Sequence, residues 1–217
     1  MKTFKKIQTF NHKYPLVGPV FWIVSIQYFI TMLVVAMNWA THYSVFQNTI
    51  SDLGNSACGL YGGRYVCSPL YSWMNASFVI LGLTMFIGST LIYYEFQKSF
   101  WSWLGFSFMA LAGIGTIMVG LFTENSGGSL HEIGAAMPFV LGNLALIILG
   151  VKLDTPKSLR IYTIASGIVS LIALVLFVSH TYLGIGIGGT ERLTAHLQTI
   201  WLMVFGVYVS RSHFRKT

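Results

Sequence analysis

The chain has 217 residues, of which 54% are hydrophobic and only 9% charged, and its mean hydropathy is +0.67. Soluble domains carry about 25% charged residues, so a soluble globular protein is excluded, and the length fits a single domain over residues 1–217. The formal net charge of +7 orients such a chain in a bilayer and meets anionic lipid; a nucleic-acid partner is not needed to explain it.

Six apolar runs follow one another: Leu16–Trp39, Ser72–Tyr93, Trp101–Phe122, Ile133–Val151, Ile161–His180 and Leu193–Val209. About 20 apolar residues cross a bilayer as a helix. The runs lack the alternation of barrel strands, and an open sheet leaves its backbone unsatisfied in lipid. The expected fold is therefore an all-α membrane protein, a bundle of six transmembrane helices. The first run is too long for a signal-peptide core and no small-residue cleavage site follows it, so it reads as a retained helix.

Lysine and arginine give the orientation. Lys2, Lys5, Lys6, Lys13, Lys98, Lys152, Lys157, Arg160, Arg211, Arg215 and Lys216 fall on one side, and only Arg64 and Arg192 on the other. The positive-inside rule then puts both termini in the cytoplasm.

The first external loop, 40–71, contains the polar stretch NTISDLGNSACGLYGGRYVC and both cysteines, Cys58 and Cys67. In an oxidising compartment such a pair reads as a disulfide; a zinc site is the rival, with a poor ligand signature. Four of the six acids (Asp52, Glu124, Glu132, Glu191) and four of the six histidines (His42, His131, His180, His196) lie on this same side. His131 adjoins the start of the fourth helix and His180 the end of the fifth. Arg192 and His196, four residues apart, share a face of the sixth. The polar stretch is expected to fold over these helix ends as the wall of an outward-facing pocket. Plain interfacial roles compete with this. His42 reads as an ordinary surface histidine, Glu191 as a group complementing the helix dipole, and Asp52 as a turn cap.

Two motifs are decoys. GIGIGG, Gly184–Gly189, has dinucleotide-loop spacing but follows no strand; it reads as a tight loop, with lipid phosphate at the helix start as the functional alternative. Asn75 begins a glycosylation triplet inside the second helix, where no glycan fits, and is expected to bond across helices, with Gln27 as one partner. Small residues four apart, Ala112, Thr116 and Gly120 in the third helix and Gly134, Pro138 and Gly142 in the fourth, predict close packing of that pair.

The segments NTISDLG and GLFTENSGGSLHEIGAAMPF, with Asn75 between them, resemble DUF998, a family of small prokaryotic membrane proteins of unknown function. They are more distantly similar to the Frag1, DRAM and Sfk1 group. The resemblance covers nearly the whole chain, although Thr123 stands where the family usually has proline. It implies a prokaryotic plasma-membrane location, marks Asp52, Glu124 and His131 as motif positions, and points to a lipid substrate or ligand.

The combined expectation is a pocket that binds or modifies a lipid or other amphiphile. Asp52, Glu124 and His131 are its reactive groups, and Arg192, His196, His180 and Asn75 its ligand-binding groups. A zinc-dependent hydrolase is the enzymatic alternative, with His131, His180, His196 and Asp52 as ligands and Glu124 as base. A transporter is disfavoured by the few mid-helix polar residues, and a non-catalytic partner protein stays open.

Overall fold

The computed structural model describes residues 2–126 and 128–214. Helix α1, Lys2–Lys13, precedes six helical spans long and apolar enough to cross a membrane. The first span is broken at Ser25 into α2, Val17–Val24, and α3, Ile26–Met37. The next spans are built on α4, Tyr71–Ile92, and α5, Phe100–Leu121. The fourth runs through α6, Ser129–Ala136, a π-helical turn, Met137–Gly142, and α7, Asn143–Lys152. The last two are α8, Lys157–Val178, and α9, Gly186–Phe214. The protein is a multi-pass membrane protein, with Ile172, Val175, Val178, Ile30 and Leu33 among the apolar side chains turned outward.

Each span packs on its neighbours in sequence, and α9 returns against α2, which closes the bundle. The buried aromatic centre is Trp22, in ring contact with Phe106, Trp201 and Phe205. Small residues set the closest helix contacts, though not all in the predicted pairing. The third and fourth spans do meet closely, at Gly134 and Pro138 of the predicted stripe, but the residue facing them is Gly115, which the stripe on the third helix did not include. Gly120, however, faces Asn75 and Val79 of α4, and Gly142 faces Gln198 of α9. The tightest pairing is α4 with α5, backbone to backbone at Gly82 and Gly113.

Three spans start earlier than in the sequence reading, the fourth at Ser129, the fifth at Lys157 and the sixth at Gly186, because an apolar run marks only the lipid-crossing part of a helix and misses a first turn that lies outside it. Arg192 and His196 therefore sit well inside a helix and not at its tip. The N-terminal segment, read as a basic tail, is helix α1, and its Asn11 side chain donates to Glu95 Oε1. His213, near the end of α9, meets the same carboxylate at 2.9 Å. The chain ends thus gather beside the α4–α5 loop, opposite the disulfide. Of the basic residues assigned to that side, Arg215 and Lys216 lie outside the described residues, as does the Lys2 side chain.

The long polar loop is an ordered lid. A 3₁₀ turn, Ser51–Gly54, leads to a hairpin of β1, Gly59–Tyr61, and β2, Arg64–Val66, with Tyr61 opposite Arg64. Gly62 and Gly63 have φ of 53° and 79°, the left-handed pair that a two-residue type I′ turn requires. Cys58 and Cys67 close the hairpin as a disulfide. A loop this short is stabilised by about 2–3 kcal/mol through lost chain entropy of the unfolded state. The Cys58→Ser/Cys67→Ser protein is expected to melt lower by that amount, and reductant should lower the wild-type melt but leave the variant's unchanged.

GIGIGG serves the same lid. Gly186–Gly189 form the first turn of α9, and a Cβ at Gly188 would lie 2.1 Å from the Asn48 carbonyl oxygen and 2.7 Å from that of Val45. Gly188 also donates its N–H to the Phe46 carbonyl at 2.9 Å. The glycines let the lid backbone rest on the helix start, the place considered for a phosphate.

Candidate functional site

Asp52 is the anchor of the lid and is fully buried. Arg64 grips it with both prongs, Nε to Oδ2 and Nη2 to Oδ1, each at 2.7 Å. The Thr49 N–H and the Asn48 amide also donate to Oδ2, at 3.0 and 3.2 Å. In return, the Asp52 N–H donates to the Thr49 hydroxyl at 3.0 Å. Asp52 is thus a turn cap and an ion-pair partner at once. The NTISD run folds this way because Asn, Thr, Ser and Asp side chains bond to nearby backbone, and the hairpin then delivers the counter-charge.

Glu124, in the loop after α5, is the second acid on Arg64, with Oε1 3.7 Å from Nη2. Its other oxygen, Oε2, is buried without a hydrogen-bond partner among the described residues. Burial first, then the nearby Asp52 and Glu191 carboxyls, push the Glu124 carboxyl up to about 9, with Arg64 opposing. One guanidinium cannot serve two carboxylates equally, and the bidentate geometry shows that Asp52 takes it. The Tyr61 hydroxyl donates to the Glu124 carbonyl at 3.0 Å, which ties hairpin to loop.

A second polar chain runs deeper. Glu191, 3% exposed, accepts from the Ile50 N–H, and its Oε1 lies 3.2 Å from the Ser51 Oγ. The Ser51 Oγ is also 3.2 Å from His131 Nε2. His131 Nδ1 lies 2.7 Å from the Phe122 carbonyl oxygen. A carbonyl only accepts, so Nδ1 carries a hydrogen. Beneath Ser51 and Glu191 is a cavity of about 60 Å³ with mostly apolar walls, among them Phe78, Leu81, Met85, Val119 and Phe139. Pro138 and Phe139 belong to the π-helical turn, a feature often found at functional sites.

Of the residues expected at the pocket, Asp52 and Glu124 meet at Arg64, and His131 reaches Ser51, the neighbour of Asp52. Asn75 supports it from below, donating to the Gly54 carbonyl at 2.9 Å. The partner of Gln27 is instead Ser77. Arg192 is near but committed. Its guanidinium donates to the carbonyls of Val45, Asn48 and Gly188 and to the Tyr43 hydroxyl, so it latches the lid and offers no free fork to a phosphate. His196 turns toward α3, where its Nε2 is 3.2 Å from the Tyr28 hydroxyl and its ring packs on Tyr28 and Phe29. His180 does not belong to the site. It is exposed and bonds to the Tyr182 hydroxyl at 2.8 Å. Among the described residues no three of His, Cys, Asp and Glu gather as metal ligands, and the set His131, His180, His196 and Asp52 does not fit a zinc ion. His42 is exposed, as its interfacial reading requires.

Ser51, Arg64 and Glu191 were not expected in the site. Ser51 carried no signal beyond a turn residue. Glu191 looked like a charge complementing a helix start because the sixth helix was begun seven residues late. Arg64 could have been found by counting: two arginines face four acids on that side of the chain, and a buried acid demands one of them.

No curated protein and no solved structure matches the chain. Residues 22–208 match a family described as proteins of unknown function, DUF998. That span covers both motif segments, the lid, the four middle spans and most of the first and last, and the chain belongs to the DUF998 family.

Proposed function

We propose that this protein binds an amphiphile at its lidded end, with the polar head under Ser51, Glu191 and His131 and an apolar chain in the cavity below. The observation that carries the reading is the cavity itself, which is apolar along its walls and polar at its roof. Its volume, about 60 Å³, is several times what one water needs and suits a segment of chain rather than a whole lipid. Binding sites of this kind combine apolar walls with a few placed polar groups. The lysines and arginines at the opposite end of the bundle support a cytoplasmic location for both termini, and the disulfide supports an oxidising compartment for the lid.

The test is photocrosslinking with a lysophospholipid bearing a diazirine in its chain. In the wild type, adducts are expected on cavity residues such as Met85 and Phe139. Ala195 also lines the cavity, and Ala195→Trp fills it, so the cavity adducts should fall at least about tenfold. Adducts confined to lipid-facing positions such as Ile172 and Val175, or unchanged in the tryptophan variant, would rule the reading out.

A further inference from the structure

The chain His131–Ser51–Glu191 can be solved for its hydrogens. Two contacts, His131 Nε2 to Ser51 Oγ and Ser51 Oγ to Glu191 Oε1, each at 3.2 Å, need one hydrogen apiece. Serine brings one. The second must sit on Glu191 or on His131 Nε2, because Nδ1 already holds its own hydrogen against the Phe122 carbonyl. Two arrangements follow. In one, a neutral Glu191 donates to Ser51, which donates to a neutral His131. In the other, a protonated His131 donates to Ser51, which donates to an ionised Glu191. They have the same atoms and the same net charge, and differ only by moving both hydrogens one step along the chain. In the first, the serine proton points at a basic imidazole nitrogen whose ring is fixed by a backbone carbonyl. That is the geometry of an activated serine, with the Phe122 carbonyl in the orienting role. Ser51 also lines the cavity, so it borders the space assigned above to the amphiphile.

We propose that Ser51 is a nucleophile for acyl transfer from a carboxylic ester of an amphiphile, with His131 as its base. This rests on the amphiphile-binding reading. Ser51 Oγ bonds to the ester carbonyl carbon as its proton passes to His131 Nε2. Glu191, whose O–H is released as Oγ becomes bonded, turns that hydrogen to the carbonyl oxygen where negative charge collects. The C–O bond to the alcohol breaks, and His131 returns the proton to the departing alcohol oxygen. Water then attacks the acyl-serine, His131 takes its proton and gives it to Ser51 Oγ, and a fatty acid leaves. The overall reaction is ester plus water to acid plus alcohol, with no oxidant or further reactant.

The experiment uses the whole protein in detergent micelles and a long-chain alkyl fluorophosphonate, which traps activated serines by displacement of fluoride. The expected result is one covalent adduct mapped to Ser51, absent in Ser51→Ala. His131→Asn keeps an amide against the Phe122 carbonyl and removes Nε2. Labelling should then slow at least about 100-fold, the usual share of a general base. His131→Gln serves if the asparagine variant does not retain a cooperative melt. An adduct on other residues only, or labelling at the wild-type rate in the folded His131 variant, overturns the assignment. The diazirine lipid, run on the same wild-type preparation, separates the two readings. Cavity crosslinks without a phosphonate adduct leave binding intact and reject the nucleophile, whereas loss of both rejects the site.

Discussion

Arg64→Ala is expected to destabilise the folded protein by about 3 kcal/mol, the largest effect of any single substitution in the lid. Removing one partner of a buried ion pair typically costs about 3–5 kcal/mol because the other charge stays behind uncompensated. Here the stranded group is Asp52, with no exposed surface in its side chain, while Arg64 keeps 16%, so the lower end of the range applies. Two further donors remain on Asp52, from Thr49 and Asn48, and they keep the loss from being larger. Arg64→Lys should fall between the variant and wild type. An ammonium supplies the charge but cannot place two parallel donors on one carboxylate. Asp52→Asn should resemble Arg64→Ala, since it leaves the guanidinium facing an amide and Glu124. The measurement is the thermal melt, together with protease cleavage between Ala57 and Ser68. Cleavage should rise in parallel, because the pair is what holds the hairpin down. If Arg64→Ala melts with wild type and its hairpin stays protected, the ion pair does not hold the lid.

That pair also shows where sequence reasoning succeeds and where it stops. The six spans were legible because lipid leaves the backbone no alternative to helix, and runs of about 20 apolar residues are unambiguous. The disulfide was legible from compartment and spacing. The start of the sixth helix was not, since Gly184–Gly189 reads as a loop until the lid is seen resting on it. With that boundary misplaced, Glu191 became a helix-end charge and its contacts with Ile50 and Ser51 were out of reach. That Asp52, Glu124 and His131 lie at one end of the bundle was expected from their shared side of the chain's topology. Their division into two chains, one around Arg64 and one through Ser51, depends on side-chain geometry that spacing does not encode. His180 failed for a related reason. Being at the right end of a helix fixes height in the bilayer but not direction, and its side chain points outward to Tyr182.

Glu124→Gln is expected to flatten the pH dependence of stability. A free carboxyl of this kind titrates near 4.5, whereas in the folded protein burial, reinforced by Asp52, lifts Glu124 to about 9. Between those values the folded state holds a proton that the unfolded chain has released. Stability falls with rising pH wherever the folded state binds more protons. The wild type should therefore lose stability steadily from about pH 5 to pH 9. Glutamine supplies a neutral side chain of the same shape at every pH, so its melt should match wild type near pH 4 and exceed it increasingly above that. The gain at pH 8 is up to about 5 kcal/mol, the linkage free energy of one proton held from the free carboxyl's range to that pH. The cause is specific to this lid. Arg64 is engaged twice by Asp52 at 2.7 Å and reaches Glu124 only at 3.7 Å. Ionising Glu124 adds a charge that the single guanidinium does not match, with Glu191 also nearby. Arg64→Ala should therefore extend the decline to higher pH without steepening it, since one carboxyl exchanges at most one proton, while Glu124→Gln removes it. Parallel melting curves for wild type and Glu124→Gln across pH 4–9 would mean that the two acids do not compete for one arginine, and that Glu124 stands ionised beside Asp52.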